Sequence, residues 1–402
     1  MTAAYSKEPN LVSTAIAGAV AMALAMGFGR FSFTPILPGM IGGLPLSSAD
    51  AGLIAAGNFA GYLAGAILGA YGWAAGRERI VGLSALFATA ALLAAMSVTS
   101  TVPVFIAIRF LAGIASAFSM IFITTIVLGH ATRAGNEHVQ SAHFGGVGLG
   151  IAASSLMVFL LSMSGGAQSW RMDWLVGAAI SLAALVAVWW LLPRSPIRVA
   201  EATKEPSLEW RLPVVVMTLS YGLFGFGYVI TATFIVTMAR MGAAGPTIEF
   251  LSWFLTGCAA ALSLFYWRPV MLRIGLAGAY VTGLLLEAAG VLSSVALPLP
   301  FAPLVGGTLL GATFMIITAY GLRLGRQLSP ESPRRALAFM TASFGVGQTV
   351  GPLVAGAVAE ATGSFTVPTV MAALALCLSV ALVLPVYRQI AQSGAERSFK
   401  GL

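Results

Sequence analysis

Two arginines lie inside apolar stretches of the sequence, where a charged side chain is costly. Arg30 follows Gly27 and Gly29 in a run that begins near Leu11, and Arg109 opens the segment RFLAG. A guanidinium carries its donors in a fixed fork that matches a carboxylate. We interpret both as anion-binding candidates. The alternatives are Arg30 reaching a headgroup layer, and Arg109 as a packing contact or the partner of an acid.

Other polar and aromatic side chains in apolar runs could complete a binding site. Tyr228 takes the place of Arg30 in an internal repeat described below, and a phenol offers both an apolar face and a polar tip. A packing role would be equally ordinary for it. The further candidates, for which packing is also a sufficient explanation, are Tyr221, Asn58, Trp253, Thr313, Tyr320 and Gln348.

Glu287 and His143 are the candidates for carrying a proton. Glu287 is the only carboxylate deep within an apolar run, and burial favours the neutral acid. A structural hydrogen bond is the alternative. His143 could titrate near neutral pH. We expect no metal site, no cofactor and no enzyme activity, because the sequence lacks a third ligand near His138 and His143, a phosphate-binding GxxxxGK[ST] loop and a zinc-hydrolase motif.

Composition places these residues in a membrane. Of the 402 residues 58% are apolar and 8% are charged, with a mean hydropathy of +0.93. A soluble domain carries roughly a quarter charged residues, so the surface here must face lipid. The net charge of +8 comes from basic residues scattered singly along the loops. A nucleic-acid partner is therefore not expected.

Apolar windows of about 20 residues predict twelve transmembrane helices. They cover 12–41, 49–71, 79–98, 102–128, 139–163, 171–193, 212–241, 247–270, 275–297, 301–324, 334–360 and 366–388. Seventeen Lys and Arg residues fall on the side of the N-terminus, two on the other side and two within spans. This asymmetry predicts that both termini are cytoplasmic. We expect a multi-pass protein of a bacterial cytoplasmic (inner) membrane.

An internal repeat divides the chain into two halves. The segment 27–30 resembles 225–228, and 109–113 resembles 307–311, both at an offset of 198 residues, while 141–145 resembles 341–345 at an offset of 200. The prediction is an all-α membrane protein of two pseudo-symmetric six-helix bundles, 1–193 and 212–402. Residues 194–211 would form a cytoplasmic linker. Parallel repeats of this kind place a substrate at their interface near mid-membrane.

Several motifs resemble the major facilitator superfamily over the whole chain. They are Arg109 to Ala115, Gly69, Gly76 and Arg77 between the second and third spans, and a Gly-Pro motif at Gly351 and Pro352. A narrower resemblance, to the YbfB/YjiJ branch, rests on GFGRFSFTPILPGM (27–40), FGGVGLGIAAS (144–154), YGLFGFGYVITATF (221–234) and GATFMIITAYGL (311–322). The resemblance implies a cavity lined by spans 1, 4, 7 and 10. It also implies gating roles for Gly69, Gly76, Arg77, Gly351 and Pro352, and a working monomer.

The predicted function is secondary active transport by alternating access, coupled to protons. The two arginines favour a small organic anion of the carboxylate type as the substrate, and the partners would be this solute, protons and the lipid bilayer. One alternative is an exporter of apolar or amphiphilic compounds, which mainly aromatic cavity walls and internally paired arginines would favour. A second alternative is a membrane sensor that does not transport.

Overall fold

The computed structural model describes residues 10–135, 138–165, 169–194 and 205–391. Within this part of the chain, eleven continuous helices are long and apolar enough to cross a membrane. They are α1 (Leu11–Gly43), α2 (Ser48–Gly69), α3 (Glu78–Met96), α4 (Val102–Arg133), α5 (His138–Gly165), α6 (Trp170–Leu191), α7 (Leu212–Met241), α8 (Pro246–Ala296), α9 (Phe301–Leu328), α10 (Pro333–Thr362) and α11 (Thr366–Val383). The predicted all-α membrane class is confirmed. Both predicted cytoplasmic termini, and 195–204 of the predicted linker, lie outside the described residues.

The first helix changes its geometry at mid-length. Leu11–Met22 and Phe33–Gly43 are α-helical, and Ala23–Phe31 between them is π-helical. A π-helix is rare and persists where other contacts stabilise it. One such contact is close packing on α5, where a Cβ at Gly27 would lie 2.4 Å from the Cα of Gly150. The glycines of this segment therefore allow two backbones to approach.

Helix α8 contains the two predicted spans 247–270 and 275–297 in one 51-residue element. Gly275 interrupts it with φ 77° and ψ 167°, a conformation that favours glycine. Close contacts with α9 are Ser252–Gly307, Thr256–Gly311, Gly283–Ile317 and Gly290–Leu309. Along the first part of α8 the residue numbers of the contacted α9 positions increase, from 307 to 311. Along the second part they decrease, from 317 to 309. The two parts consequently run in opposite directions along α9.

The repeat seen in the sequence recurs in how helices pack. A Cβ at Gly113 of α4 would lie 2.1 Å from the carbonyl oxygen of Asn58 on α2. A Cβ at Gly311 of α9 would lie 2.1 Å from the carbonyl oxygen of Thr256 on α8. Both members of the second pair are 198 residues beyond those of the first. The same close helix crossing thus occurs once before and once after the linker.

The two ends of the bundle differ in how tightly the halves meet. We call the side with the loop after α2 and the segment after α6 the linker side, and the other the far side. On the far side, a Cβ at Gly52 would lie 2.3 Å from the carbonyl oxygen of Pro352. The Thr34 hydroxyl donates to the carbonyl of Ala232 at 2.7 Å, joining α1 to α7. Helices of both halves therefore make direct backbone contact there.

On the linker side the halves are separated by a cavity of about 710 Å³. Its walls come from α2, α4, α9 and α10 and are mainly apolar, with Tyr71 exposed at the rim. The lining residues are Tyr62, Leu63, Ala66, Ile67, Ala70, Tyr71, Met120, Ile121, Thr124, Leu322, Arg334, Leu337, Ala338, Thr341 and Ala342. The wide opening between the halves is therefore on the linker side, and on the far side a smaller pocket of about 130 Å³ lies between them, beside Pro35 and Glu249.

Candidate functional site

Arg30 lies at the end of the π-helical segment and is 4% exposed. Its guanidinium carbon is 4.5 Å from the ring centroids of both Phe59 and Tyr62 on α2, and 5.5 Å from that of Phe31. Nε and Nη2 are buried without a hydrogen-bond partner. Aromatic faces stabilise the cation. The two N–H groups of its edge remain available for an acceptor.

Arg109 of α4 is equally buried, but both of its terminal nitrogens are hydrogen-bonded. Nη1 donates to the carbonyl of Gly29 at 3.0 Å, and Nη2 donates to the carbonyl of Arg30 at 2.9 Å, while Nε has no partner. The Asn58 amide donates to the carbonyl of Arg109 itself at 3.0 Å. These bonds attach α4 to the irregular part of α1. The side chain thereby stabilises the backbone that carries Arg30.

Tyr228 of α7 lies on the other half, within a stack of rings. Its ring is nearly parallel to Phe314 and Phe344, at 1° and 3°, with centroid distances of 5.9 and 5.8 Å. The Gln348 amide of α10 donates to the Tyr228 hydroxyl, and Gln348 Oε1 is buried without a partner. Phe31 beside Arg30 contacts Phe314 at 6.1 Å. A continuous line of rings therefore connects Arg30 to Tyr228 across the two halves.

Two other predicted residues lie beside this line of rings. Trp253 is buried 6.3 Å from Phe31, and its Nε1 has no partner. Tyr221 stacks on Phe344 and donates its hydroxyl to the carbonyl of Thr318. Tyr320, by contrast, lies on α9 two turns beyond Thr313 toward the linker side, where it is buried away from these rings. The structure thus brings most of the candidates together at one level of the bundle.

Glu287 is fully buried behind this site, on the second part of α8. Its Oε2 contacts the Thr313 hydroxyl, which also lies 2.7 Å from the carbonyl oxygen of Leu309, and its Oε1 has no partner. A hydroxyl has one hydrogen. Both contacts of Thr313 can be full hydrogen bonds when the carboxyl carries a proton and donates it. The arrangement can therefore hold a proton on Glu287, whose partner Thr313 directly precedes Phe314 of the ring line.

His143 lies within the first half, between α1, α4 and α5. Its Nε2 is 2.8 Å from the Thr124 hydroxyl, and its Nδ1 faces Gly18, where a Cβ would lie 2.6 Å away. The imidazole is fully buried, but Thr124 lines the linker-side cavity. His143 is consequently separated from the ring line and reaches the cavity only through that hydroxyl.

The five predicted gating residues have different surroundings. Gly69 packs against α4 and Gly351 packs against α7, so each lies between helices of one half. Gly76 and Arg77 belong to the loop after α2, where the Gly76 N–H donates to the Glu78 carboxylate at 2.9 Å. Pro352 contacts the opposite half, at Gly52. It therefore belongs to the contact that closes the far side.

Sequence reasoning missed the rings that surround Arg30 and Tyr228. Phe59 and Tyr62 are three residues apart and therefore share a face of α2, next to Asn58. Phe314 directly follows the candidate residue Thr313, and Phe344 lies within the repeat segment 341–345. An i, i+3 aromatic pair beside a buried polar residue was an available signal. Lipid-facing rings follow the same spacing, so the pattern alone did not separate the two.

A family model described as "Uncharacterised MFS-type transporter YbfB" matches residues 22–384. The chain belongs to this family of the major facilitator superfamily, which confirms the resemblance seen in the sequence. The protein is accordingly a multi-pass membrane transporter and not an enzyme. A comparison with curated protein sequences found no match.

Solved structures of other transporters share the fold. The nucleoside transporter NupG aligns with a TM-score of 0.71 at 15% identity, covering 94% of this chain and 98% of its own. The human organic anion transporter MFSD10 (TETRAN) gives 0.62 at 16%, covering 92% and 99%. A bacterial homologue of the human lysosomal transporter Spinster gives 0.62 at 13%, covering 96% of each chain. At these identities the likeness describes the fold.

Proposed function

We propose that this transporter moves a small organic anion of the carboxylate type by alternating access, and that Arg30 binds its negative charge. The observation that carries the proposal is the buried edge of the Arg30 guanidinium, whose Nε and Nη2 have no partner. A buried cation without a paired anion is costly, and it is retained where it has a function. In the described residues Arg30 forms no ion pair.

The one-sided cavity supports alternating access. Close contacts such as Gly52 with Pro352 close the far side, whereas about 710 Å³ of space separates the halves on the linker side. Tyr62 lines that cavity and also contacts Arg30. If the linker side is cytoplasmic, as the Lys and Arg asymmetry predicts, this conformation is open inward. A rocking of the halves about the site would expose Arg30 to the other side.

The packing of α8 on α9 also bears on how many times the chain crosses the membrane. The two parts of α8 run in opposite directions on either side of Gly275, which supports twelve crossings in two six-helix halves, 1–193 and 212–402, joined by 194–211. An even number of crossings places both termini on one side, which we propose to be the cytoplasmic side of a bacterial inner membrane. A single chain contains the whole site, consistent with a working monomer.

An exporter of apolar or amphiphilic compounds is the second candidate, because the cavity walls are mainly apolar and the site is rich in rings. That candidate also required both arginines to be internally paired. Arg109 binds backbone carbonyls, whereas the edge of Arg30 is unpaired. The balance of these contacts favours the anion.

The transport test uses purified protein in proteoliposomes with an imposed pH gradient. A defined mixture of organic acids, neutral solutes and amphiphilic amines is offered, and uptake is measured by mass spectrometry. We expect acids to accumulate with the wild type and uptake to fall at least tenfold for Arg30→Ala. Arg171→Ala is the matched control, since that guanidinium lies over Trp170 and binds the carbonyl of Ser97, away from the cavity.

Each alternative has its own outcome in the same experiment. Unchanged uptake of acids by Arg30→Ala would end the proposed role of that side chain. Uptake of amphiphiles alone would favour the exporter, and an absence of flux would favour the sensor. Equal elution profiles and unfolding temperatures for the variants show that folding does not explain a loss.

Proton coupling through Glu287 is tested with Glu287→Gln, which preserves shape and removes the titrating group. If Glu287 carries the coupled proton, accumulation driven by the pH gradient is lost while counterflow of the same acid persists. Because Gln can still donate to the Thr313 hydroxyl, the unfolding temperature should not change. Preserved accumulation would assign Glu287 a structural role, and His143→Gln would then be the next variant.

A further inference from the structure

The free edge of Arg30 has a shape as well as a charge. Nε and Nη2 are adjacent donors on one edge, and the rings of Phe59 and Tyr62 lie close to the guanidinium, each 4.5 Å from its carbon. Two parallel N–H groups match the two oxygens of a carboxylate. Resting on the proposed function, we propose that the site takes an aromatic monocarboxylate, with the carboxylate on this edge and Tyr62 as the floor beneath it.

The donors available at this level limit the ligand to one carboxylate. Both terminal nitrogens of Arg109 bind carbonyls of α1, so its Nε is left as a single donor and Arg109 offers no second fork. Trp253 adds a single neutral N–H without a partner. A second carboxylate on the same ligand would lie among rings with no forked donor, and burying an unpaired charge is strongly unfavourable. A dianion is therefore disfavoured.

The walls beside Arg30 favour a flat body. From Phe31 the ring line continues through Phe314, Tyr228 and Phe344, with centroid distances of 6.1, 5.9 and 5.8 Å. The plane of the Tyr228 ring lies within 1° of the plane of Phe314 and within 3° of the plane of Phe344. Aromatic rings stack offset on such faces, an interaction that a saturated ring of equal size cannot make.

Tyr62 connects the site to the route of entry. Its ring faces Arg30, its hydroxyl contacts the sulfur of Met120 on α4, and the residue lines the linker-side cavity. The cavity and the Arg30 edge therefore lie on either side of one side chain. A ligand that enters from the linker side passes this side chain and can then rest its own ring against that of Tyr62. Tyr62 is thus a positioning residue for an aromatic ligand.

The test measures binding to purified full-length protein by isothermal titration calorimetry with four matched probes. They are 2-naphthoate, its saturated analogue decahydro-2-naphthoate, naphthalene-2,6-dicarboxylate and the neutral 2-naphthamide. We expect 2-naphthoate to bind at least tenfold more tightly than each of the others. Arg30→Lys should weaken it at least tenfold with an unchanged unfolding temperature, because Lys keeps the charge and loses the fork.

Each deviation removes a defined part of the inference. Equal binding of the saturated acid contradicts the aromatic body, equal or tighter binding of the dicarboxylate contradicts the single carboxylate, and equal binding of the amide contradicts the charge. Tyr62→Leu should reduce the ratio between 2-naphthoate and its saturated analogue at least threefold. Phe87→Leu, at a ring of α3 that is 57% exposed, should leave that ratio unchanged.

The proposed function fails separately from this inference. If none of the four probes binds, the aromatic monocarboxylate is overturned. The proposed function still holds if proteoliposomes accumulate another organic acid in a manner that depends on Arg30. If uptake of every acid is independent of Arg30, both are overturned.

Discussion

Arg30 and Arg109 are the same residue type, both almost fully buried, and yet their surroundings differ. Arg109 donates two hydrogen bonds to backbone carbonyls of α1, whereas the edge of Arg30 has aromatic faces around it and no acceptor. Burial and charge are alike in the two places. Nε has no partner in either residue, and what distinguishes them is that both terminal nitrogens of Arg109 are hydrogen-bonded whereas Nη2 of Arg30 is not. We propose that Arg109 positions the segment that presents Arg30 to the anion.

The hydrogen bonds of Arg109 also act on the π-helical segment of α1. A π-helical segment changes the direction of its carbonyls, and in a membrane no water can donate to a carbonyl that lacks a partner. Arg109 supplies donors at Gly29 and Arg30, where the segment ends. An irregular backbone can thereby exist at mid-membrane, and it presents a side chain that a regular helix would direct elsewhere.

The largest expected effect on stability is that of Arg109→Met. The substitution removes two buried hydrogen bonds from a charged donor, each worth about 1.5–3 kcal/mol. We expect the apparent unfolding temperature in detergent to fall by several degrees, and transport to be lost with it. The measurement is thermal unfolding followed by intrinsic fluorescence. An unchanged unfolding temperature would contradict the role of Arg109 and remove the contrast with Arg30.

Arg30→Met is the counterpart. It removes a buried cation with unpaired donors, so the unfolding temperature should stay the same or rise, while affinity for the transported anion falls at least tenfold. Measured beside Arg109→Met in the same detergent, it separates binding from stability. A fall as large as that of Arg109→Met would mean that the aromatic contacts of Arg30 stabilise the fold, and the comparison would not hold.

The smallest expected effect is that of Asn58→Leu. Its amide donates to the carbonyl of Arg109, and a typical buried hydrogen bond contributes about 1 kcal/mol. We expect a slightly lower unfolding temperature and an anion affinity within about twofold of the wild type, because the edge of Arg30 is untouched. The same thermal and calorimetric measurements apply. A loss of affinity comparable with Arg30→Met would place Asn58 in the binding site itself.

Much of the fold was predictable from the sequence. Membrane residence and the bounds of most spans follow from hydropathy, which is a property of a short window and needs no tertiary contact. The two predicted spans 247–270 and 275–297 lie in one continuous helix that changes direction at Gly275, so the predicted count of twelve stays a prediction. The family resemblance rested on motifs that the family model then matched over residues 22–384.

The site was predictable only in part. Arg30 and Arg109 stood out because a charge inside an apolar run is rare, but hydropathy alone ranked them alike as anion-binding candidates. The rings of Phe59 and Tyr62 could not be assigned to Arg30, since nothing in a window of α2 tells which face meets α1. Glu287 was recognisable as buried, whereas its contact with Thr313 depends on how α8 and α9 cross.

By itself, the sequence determined that this protein lies in a lipid membrane, that it is a transporter of this family, and where its rare buried charges are. These properties depend on local composition and on motifs. Only the tertiary structure decided which of two buried arginines keeps a pair of adjacent free donors. That outcome depends on Arg109 meeting carbonyls 79 and 80 residues away and on rings from α2 covering Arg30. Hydrogen-bond occupancy is a property of pairs distant in the chain, and only folding brings such pairs together.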